Sequence, residues 1–144
     1  MNQNEQLVTD MLRAVEDRDP GRLLEIFAPD VEFVWPPSLP GYGGRFQGAE
    51  ILDMQTRFAA AWDSLQPTAA SRQLEHRIIA SNDYEVVALY HQRGTDENGR
   101  SCETEVLALY RIVDGRVSRL QMFYFDPVQI AAFLTPSSPT DPAA

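Results

Sequence analysis

Gly115-Arg116-Val117-Ser118-Arg119-Leu120-Gln121-Met122-Phe123-Tyr124-Phe125-Asp126-Pro127 is the stretch that decides the fold. The turn pair Asp114-Gly115 opens it, a run rich in aromatic residues follows, and an Asp-Pro pair closes it. Read with a period of two, one face carries Ser118, Leu120, Met122, Tyr124 and Asp126, and the other Arg119, Gln121, Phe123 and Phe125. Asp126 ends an otherwise apolar face, and an unpaired buried carboxylate is costly. Two roles answer that cost, and they are compatible. Asp126 caps a helix that has Pro127 at its first position, or it looks into a pocket and handles protons there.

Upstream of that strand the pattern is β. The segments 73–80, 84–93, 102–113 and 116–126 are rich in Val, Ile, Leu and Tyr. Between them lie Ser81-Asn82-Asp83, the run Gly94 to Gly99, and Asp114-Gly115, all turn chemistry. Short connections in succession predict an antiparallel meander. A short helix, 128–134, follows, and 135–144 has the composition of a disordered tail.

The N-terminal third is helical. Leu7, Val8, Met11, Leu12 and Val15 form one stripe, predicting a helix from about 4 to 17. Asp19-Pro20 starts a second, which Ala28-Pro29-Asp30 ends. Val31–Trp35 reads as a strand, and residues 36–44 as a loop with three prolines and three glycines, anchored by Leu39 and Tyr42. That loop suits a pocket rim or a structural crossover. A third helix over 49–65 places Ile51, Leu52, Phe58, Ala61, Trp62 and Leu65 on one side, and Pro67 stops it.

The expected fold is therefore α+β: a cone-shaped, strongly curved, mostly antiparallel sheet packed on three N-terminal helices, with a short C-terminal helix. One domain spans 1–134. Because the last strand is apolar on both faces near its end, Phe123 and Phe125 call for a second surface, and a homodimer through the outer face of the sheet supplies one.

Composition excludes several classes. A net charge of −9 over 144 residues opposes binding to nucleic acid or to an anionic membrane. The single cysteine, Cys102, forms no internal disulfide, the polar N-terminus is no signal peptide, and no apolar run reaches membrane-span length. The expectation is a soluble, cytoplasmic protein. His76 and His91 are the only histidines, without metal-ligand spacing, so neither a metal nor another cofactor is expected. No serine sits in a nucleophile elbow, and Gly41-Tyr42-Gly43-Gly44 is not a phosphate-binding turn.

The helix pair, the run Ala28 to Phe33, the lead Arg45-Phe46-Gln47-Gly48, and the end Val113-Asp114-Gly115-Arg116-Val117 with Tyr124-Phe125-Asp126-Pro127 together resemble the nuclear transport factor 2-like superfamily. Within it the chain looks like the SnoaL-like polyketide cyclase and ketosteroid isomerase-like branch, over about residues 5–134. The resemblance implies a curled sheet around an apolar pocket and, commonly, a homodimer. It also bears on individual residues. Ketosteroid isomerases carry an Asp just before a proline on the first strand, where this chain has Trp35 before Pro36. Limonene-epoxide hydrolases carry an Arg-x-Asp pair in a central strand, where this chain reads Tyr90-His91-Gln92-Arg93-Gly94. The cyclase branch uses an Asp late in the last strand, for which Asp126 is the nearest counterpart.

Two readings follow. In the first, the chain is a cofactor-independent isomerase, cyclase or epoxide hydrolase acting on a hydrophobic polyketide-, steroid- or terpenoid-like molecule. Asp126 and His91 are its catalytic candidates, and Trp35, Tyr42, Phe58, Trp62, Glu103, Met122 and Tyr124 its pocket. His91 shares strand parity with Val87 and Leu89, which would aim it at the cavity, within reach of Glu103 or Glu105 on the next strand. In the second, the same pocket binds without chemistry, or the domain serves as an accessory or protein-interaction module.

Overall fold

The computed structural model describes residues 1–135; from residue 136 onward the expected tail lies outside the described residues. Helix α1 (Gln3–Glu16) starts at Asn2, whose side chain accepts from the Glu5 amide, and buries Val8, Met11 and Leu12. Helix α2 (Pro20–Ile26) starts at Asp19, whose carboxylate accepts from the Arg22 amide at 3.2 Å. Proline at the first helical position gives up only an amide that the helix could not have used.

The structure corrects the expected end of α2. Helix stops at Ile26, and strand β1 (Phe27–Trp35) takes in Ala28, Pro29 and Asp30. Phe27 pairs with Val117 and Glu32 with Arg119, and the register slips between them. Pro29 falls in that slip, where no ladder hydrogen bond asks for its missing N–H. A second correction concerns Arg45-Phe46-Gln47, read from sequence as the lead into the third helix. It belongs to strand β2 (Gly44–Gln47), antiparallel to β1 through Trp35↔Gly44 and Phe33↔Phe46. The proline- and glycine-rich stretch 36–43 is thus the loop of a hairpin.

Helix α3 (Ile51–Trp62) carries single 3-10 turns at both ends, 48–50 and 63–65, which together fill the expected span. Strands β3 (Arg77–Ser81), β4 (Glu85–Thr95), β5 (Ser101–Val113) and β6 (Arg116–Tyr124) form the antiparallel meander. The first of them starts four residues later than predicted, because Leu74 turns inward and its amide donates to the Glu16 carboxylate at 2.8 Å. Helix α4 (Pro127–Leu134) closes the described chain.

The sheet order is β2-β1-β6-β5-β4-β3, curved and unclosed, with β1 parallel to β6 and every other pairing antiparallel. Val86, Ala88 and Tyr90 of β4, Val106, Ala108 and Tyr110 of β5, and Leu120, Met122 and Tyr124 of β6 are buried with the apolar sides of α1 and α3. Among the described residues no helix is long and apolar enough to cross a membrane.

Candidate functional site

A cavity of about 300 Å³ lies between α1, α2, α3 and the inward face of the sheet. Its walls are mostly apolar: Met11 and Leu12 from α1, Met54 and Phe58 from α3, Phe33 and Trp35 from β1, and Leu120 and Met122 from β6. Roughly ten waters would fill that volume at about 30 Å³ each, so a mono- or bicyclic organic molecule fits. Arg18, Asp19, Pro20 and Asp63 border its open side. There the Arg18 Nε contacts an Asp63 carboxylate oxygen at 3.3 Å, and its NH1 donates to the Val15 carbonyl at 3.2 Å.

Three polar side chains reach the cavity from the sheet: Tyr90 and Gln92 of β4 and Tyr110 of β5. They are 6%, 3% and 1% exposed, deep enough that an unpartnered hydroxyl or amide costs free energy. Among the described residues nothing hydrogen-bonds to these groups; their polar atoms are not walled off but border the cavity. Burial pushes both phenols upward from the usual tyrosine range, so at neutral pH each is a hydrogen-bond donor. The carboxylates bordering the cavity, Asp19 and Asp63, sit at its mouth, one capping α2 and the other paired with Arg18. Both phenols can therefore offer a donor to the cavity interior.

Behind the aromatic wall lies a second buried group. The Trp62 Nε1–H donates to the Tyr42 hydroxyl at 2.8 Å, and the Tyr42 and Tyr124 hydroxyls are 3.0 Å apart. Trp35 meets Tyr42 edge-on, with ring centroids 5.0 Å apart, and stacks on Phe58 at 5.5 Å. The 36–43 hairpin loop is thereby pinned into the core through Tyr42. Burial lifts the Tyr42 phenol to about 12, against hydrogen bonds from Tyr124 and Trp62 that pull it down, and lifts Tyr124 as well.

These shifts set an alkaline limit. A phenol whose folded pKa is raised is protonated in both states below about pH 10, so its contribution to stability is intact there. Above that pH the unfolded chain releases the proton while the folded chain keeps it. Stability therefore falls from pH 10 up to about 12 for Tyr42, and further for Tyr90, Tyr110 and Tyr124. Burial also lifts the Cys102 thiol from about 9 to about 11, so denaturation midpoints measured from pH 8 to pH 12 are expected to hold steady to about 9, to begin falling there and to fall steeply above 10.

Of the residues predicted from sequence, Trp35, Phe58 and Met122 line the cavity. Tyr42, Trp62 and Tyr124 form the hydrogen-bonded group beside it. The other three lie elsewhere. Asp126 stands beyond the end of β6 with backbone angles of −133° and 81°, and its carboxylate accepts from the Gln129 amide at 3.0 Å. Its side chain is committed to the start of α4 and does not border the cavity. His91 is on the outer face of the sheet, because in β4 the inward positions are Val86, Ala88, Tyr90 and Gln92. Glu103 shares that outer face, with its carboxylate 3.1 Å from His91 Nδ1 and 3.7 Å from the Arg93 guanidinium. The pairing foreseen between these strands exists, on the side away from the cavity.

Sequence reasoning missed Tyr90, Gln92 and Tyr110. The signal was present in β5, where Glu103, Glu105 and Arg111 share one parity and Tyr110 has the other. Carried across the pairing Leu89↔Leu107, that alternation turns Tyr90 and Gln92 inward. Among the described residues no three His, Cys, Asp or Glu side chains gather in a way that could hold a metal ion.

The profile of the SnoaL-like domain family matches residues 8–120. Uncharacterised proteins of Mycobacterium tuberculosis and Mycobacterium bovis are each 31% identical over 117 residues, covering 80% of this chain and 83% of theirs. Solved structures share the fold at lower identity. The protein TerC, co-crystallised with polyporic acid, superposes with a TM-score of 0.77 at 22% identity, covering 92% of this chain and 98% of its own. A cystatin-like-fold protein from Xanthomonas campestris gives 0.76 at 23%, covering 94% and 100%. A candidate SnoaL-like polyketide cyclase from Jannaschia gives 0.66 at 16%, covering 94% of each chain.

Proposed function

The chain belongs to the SnoaL-like domain family, and we propose that it binds a small, largely apolar molecule whose acceptor oxygens meet Tyr90, Tyr110 and Gln92. One observation carries the reading: three deeply buried polar side chains, without protein partners among the described residues, border one apolar cavity. The fold is compatible with small-molecule binding, and TerC, a structural neighbour, was crystallised with polyporic acid. Asp126 is a cap in this reading, and His91 and Glu103 belong to the outer surface. The working form is a homodimer through the outer face of the sheet, where Leu107 and Phe123 are 41% and 50% exposed.

A second reading rests on the same two phenols. Protonated donors aimed at a carbonyl oxygen also stabilise an enolate, so an isomerase or cyclase acting on an oxygenated polyketide-, steroid- or terpenoid-like substrate would use them in that way.

Fluorescence titration through Trp35 tests the binding reading, using a hydroxynaphthoquinone and the oxygen-free naphthalene as probes. Tyr90→Phe and Tyr110→Phe are each expected to weaken the quinone by about two- to tenfold and to leave naphthalene unchanged. Asp126→Ala is expected to lower stability by about 0.5–2 kcal/mol with both affinities unaltered. Equal losses for both probes in the tyrosine variants would remove the hydrogen-bonding role. A binding loss in Asp126→Ala would return that carboxylate to the site.

A further inference from the structure

Among the described residues that border the apolar cavity, Arg18 is the only cation. It ends α1 with a φ of 54°, in the left-handed region that favours glycine. An arginine there costs backbone strain that a glycine would avoid, and its side chain is folded over the cavity mouth. The guanidinium has five N–H donors. The Val15 carbonyl accepts one from NH1, Gln66 Oε1 accepts one from NH2, and Nε faces Asp63. One N–H on each terminal nitrogen is left without an acceptor among the described residues, and a guanidinium can offer such a pair to the two oxygens of one carboxylate.

The group is held still and only partly neutralised. Gln66 is buried, and while its Oε1 accepts from Arg18 its Nε2 donates to the Arg93 carbonyl at 2.8 Å, which ties the guanidinium to β4. Burial pushes the Arg18 guanidinium down from its usual value; Asp63 opposes that shift and Arg72 adds to it. The Asp63 side chain is 56% exposed, so water screens its pairing with Arg18. Asp19, the other carboxylate at the mouth, is committed to capping α2. We propose that the cavity selects a carboxylic acid, whose carboxylate replaces Asp63 on Arg18 while its apolar ring body lies inside. Asp63 is then released to water. The inference rests on the binding reading above and adds the charge of the ligand and the residue that recognises it.

The test is isothermal titration calorimetry of the full chain with naphthoate and its neutral amide, with circular dichroism to verify folding of each variant. The wild-type chain is expected to bind naphthoate at least about fivefold more tightly than the amide. Arg18→Gln is expected to abolish that preference and leave the amide unchanged. Asp63→Asn is expected to tighten naphthoate by about two- to fivefold, again without effect on the amide. Asp63 is half-exposed, so the Asp63→Asn result stands even where Arg18→Gln fails to fold. Equal affinities in the wild type, a preference that survives Arg18→Gln, or an Asp63→Asn chain that binds naphthoate no more tightly would each overturn the inference while leaving the cavity reading intact. Absence of binding by either probe would overturn both.

Discussion

Replacing Trp62 by alanine is expected to lower the unfolding free energy by about 3–5 kcal/mol, read from urea denaturation midpoints. Trp62 is fully buried at the end of α3. Its ring lies so close to Gly94 of β4 that an added Cβ there would come within 3.1 Å of it. The alanine variant opens a cavity and also removes the Nε1–H that donates to Tyr42, leaving the 36–43 loop with one fewer anchor. Small domains have about 5–15 kcal/mol in total, so this loss alone brings the protein near unfolding. Trp62→Phe separates the two contributions. It retains most of the ring volume, and its smaller cost measures the hydrogen bond together with the residual space.

Gly43→Ala is expected to destabilise the fold by about 1–3 kcal/mol or more. A Cβ at Gly43 would lie 2.5 Å from the Leu39 carbonyl oxygen, 2.7 Å from that of Pro36 and 2.8 Å from that of Pro37. All three are backbone atoms of the same tight loop, which is further held by the Gly43 amide donating to Leu39 at 3.0 Å. No side chain can swing away to make room. The loop must open, and Tyr42 is the residue next in line. The variant is therefore expected to disturb the Tyr42–Trp62–Tyr124 group as well, visible as a changed tryptophan emission before any loss of secondary structure.

Local signals in the chain were legible. Asp19-Pro20 and Asp126-Pro127 announce helix starts through cap and proline chemistry, and the structure places both as N-caps. The meander follows from short turns between β-rich segments. Strand β2 was not legible because it is short and follows a proline- and glycine-rich loop, and the parallel pairing of β1 with β6 because its partners are distant in sequence. The site was harder still. In β4 both parities are apolar, with Val86, Ala88 and Tyr90 on one and Val87 and Leu89 on the other, so β4 alone does not say which way His91 points. A single-residue change in register reverses that assignment. Of the two roles read for Asp126 the structure shows the cap: the residue continues the inward parity of β6, but the strand ends at Tyr124 and the carboxylate accepts from the Gln129 amide.

We propose that Tyr90, Tyr110 and Gln92 hold the ligand inside the cavity. The most direct test is an NMR titration of the full chain with a hydroxynaphthoquinone, following the Gln92 side-chain amide and the Trp35 indole. Saturable shifts at both, with the Asp126 and His91 side chains unmoved, are the predicted result. Shifts confined to Asp126 or His91, with Gln92 silent, would contradict the account and move the functional site to the end of β6 or to the outer face of the sheet.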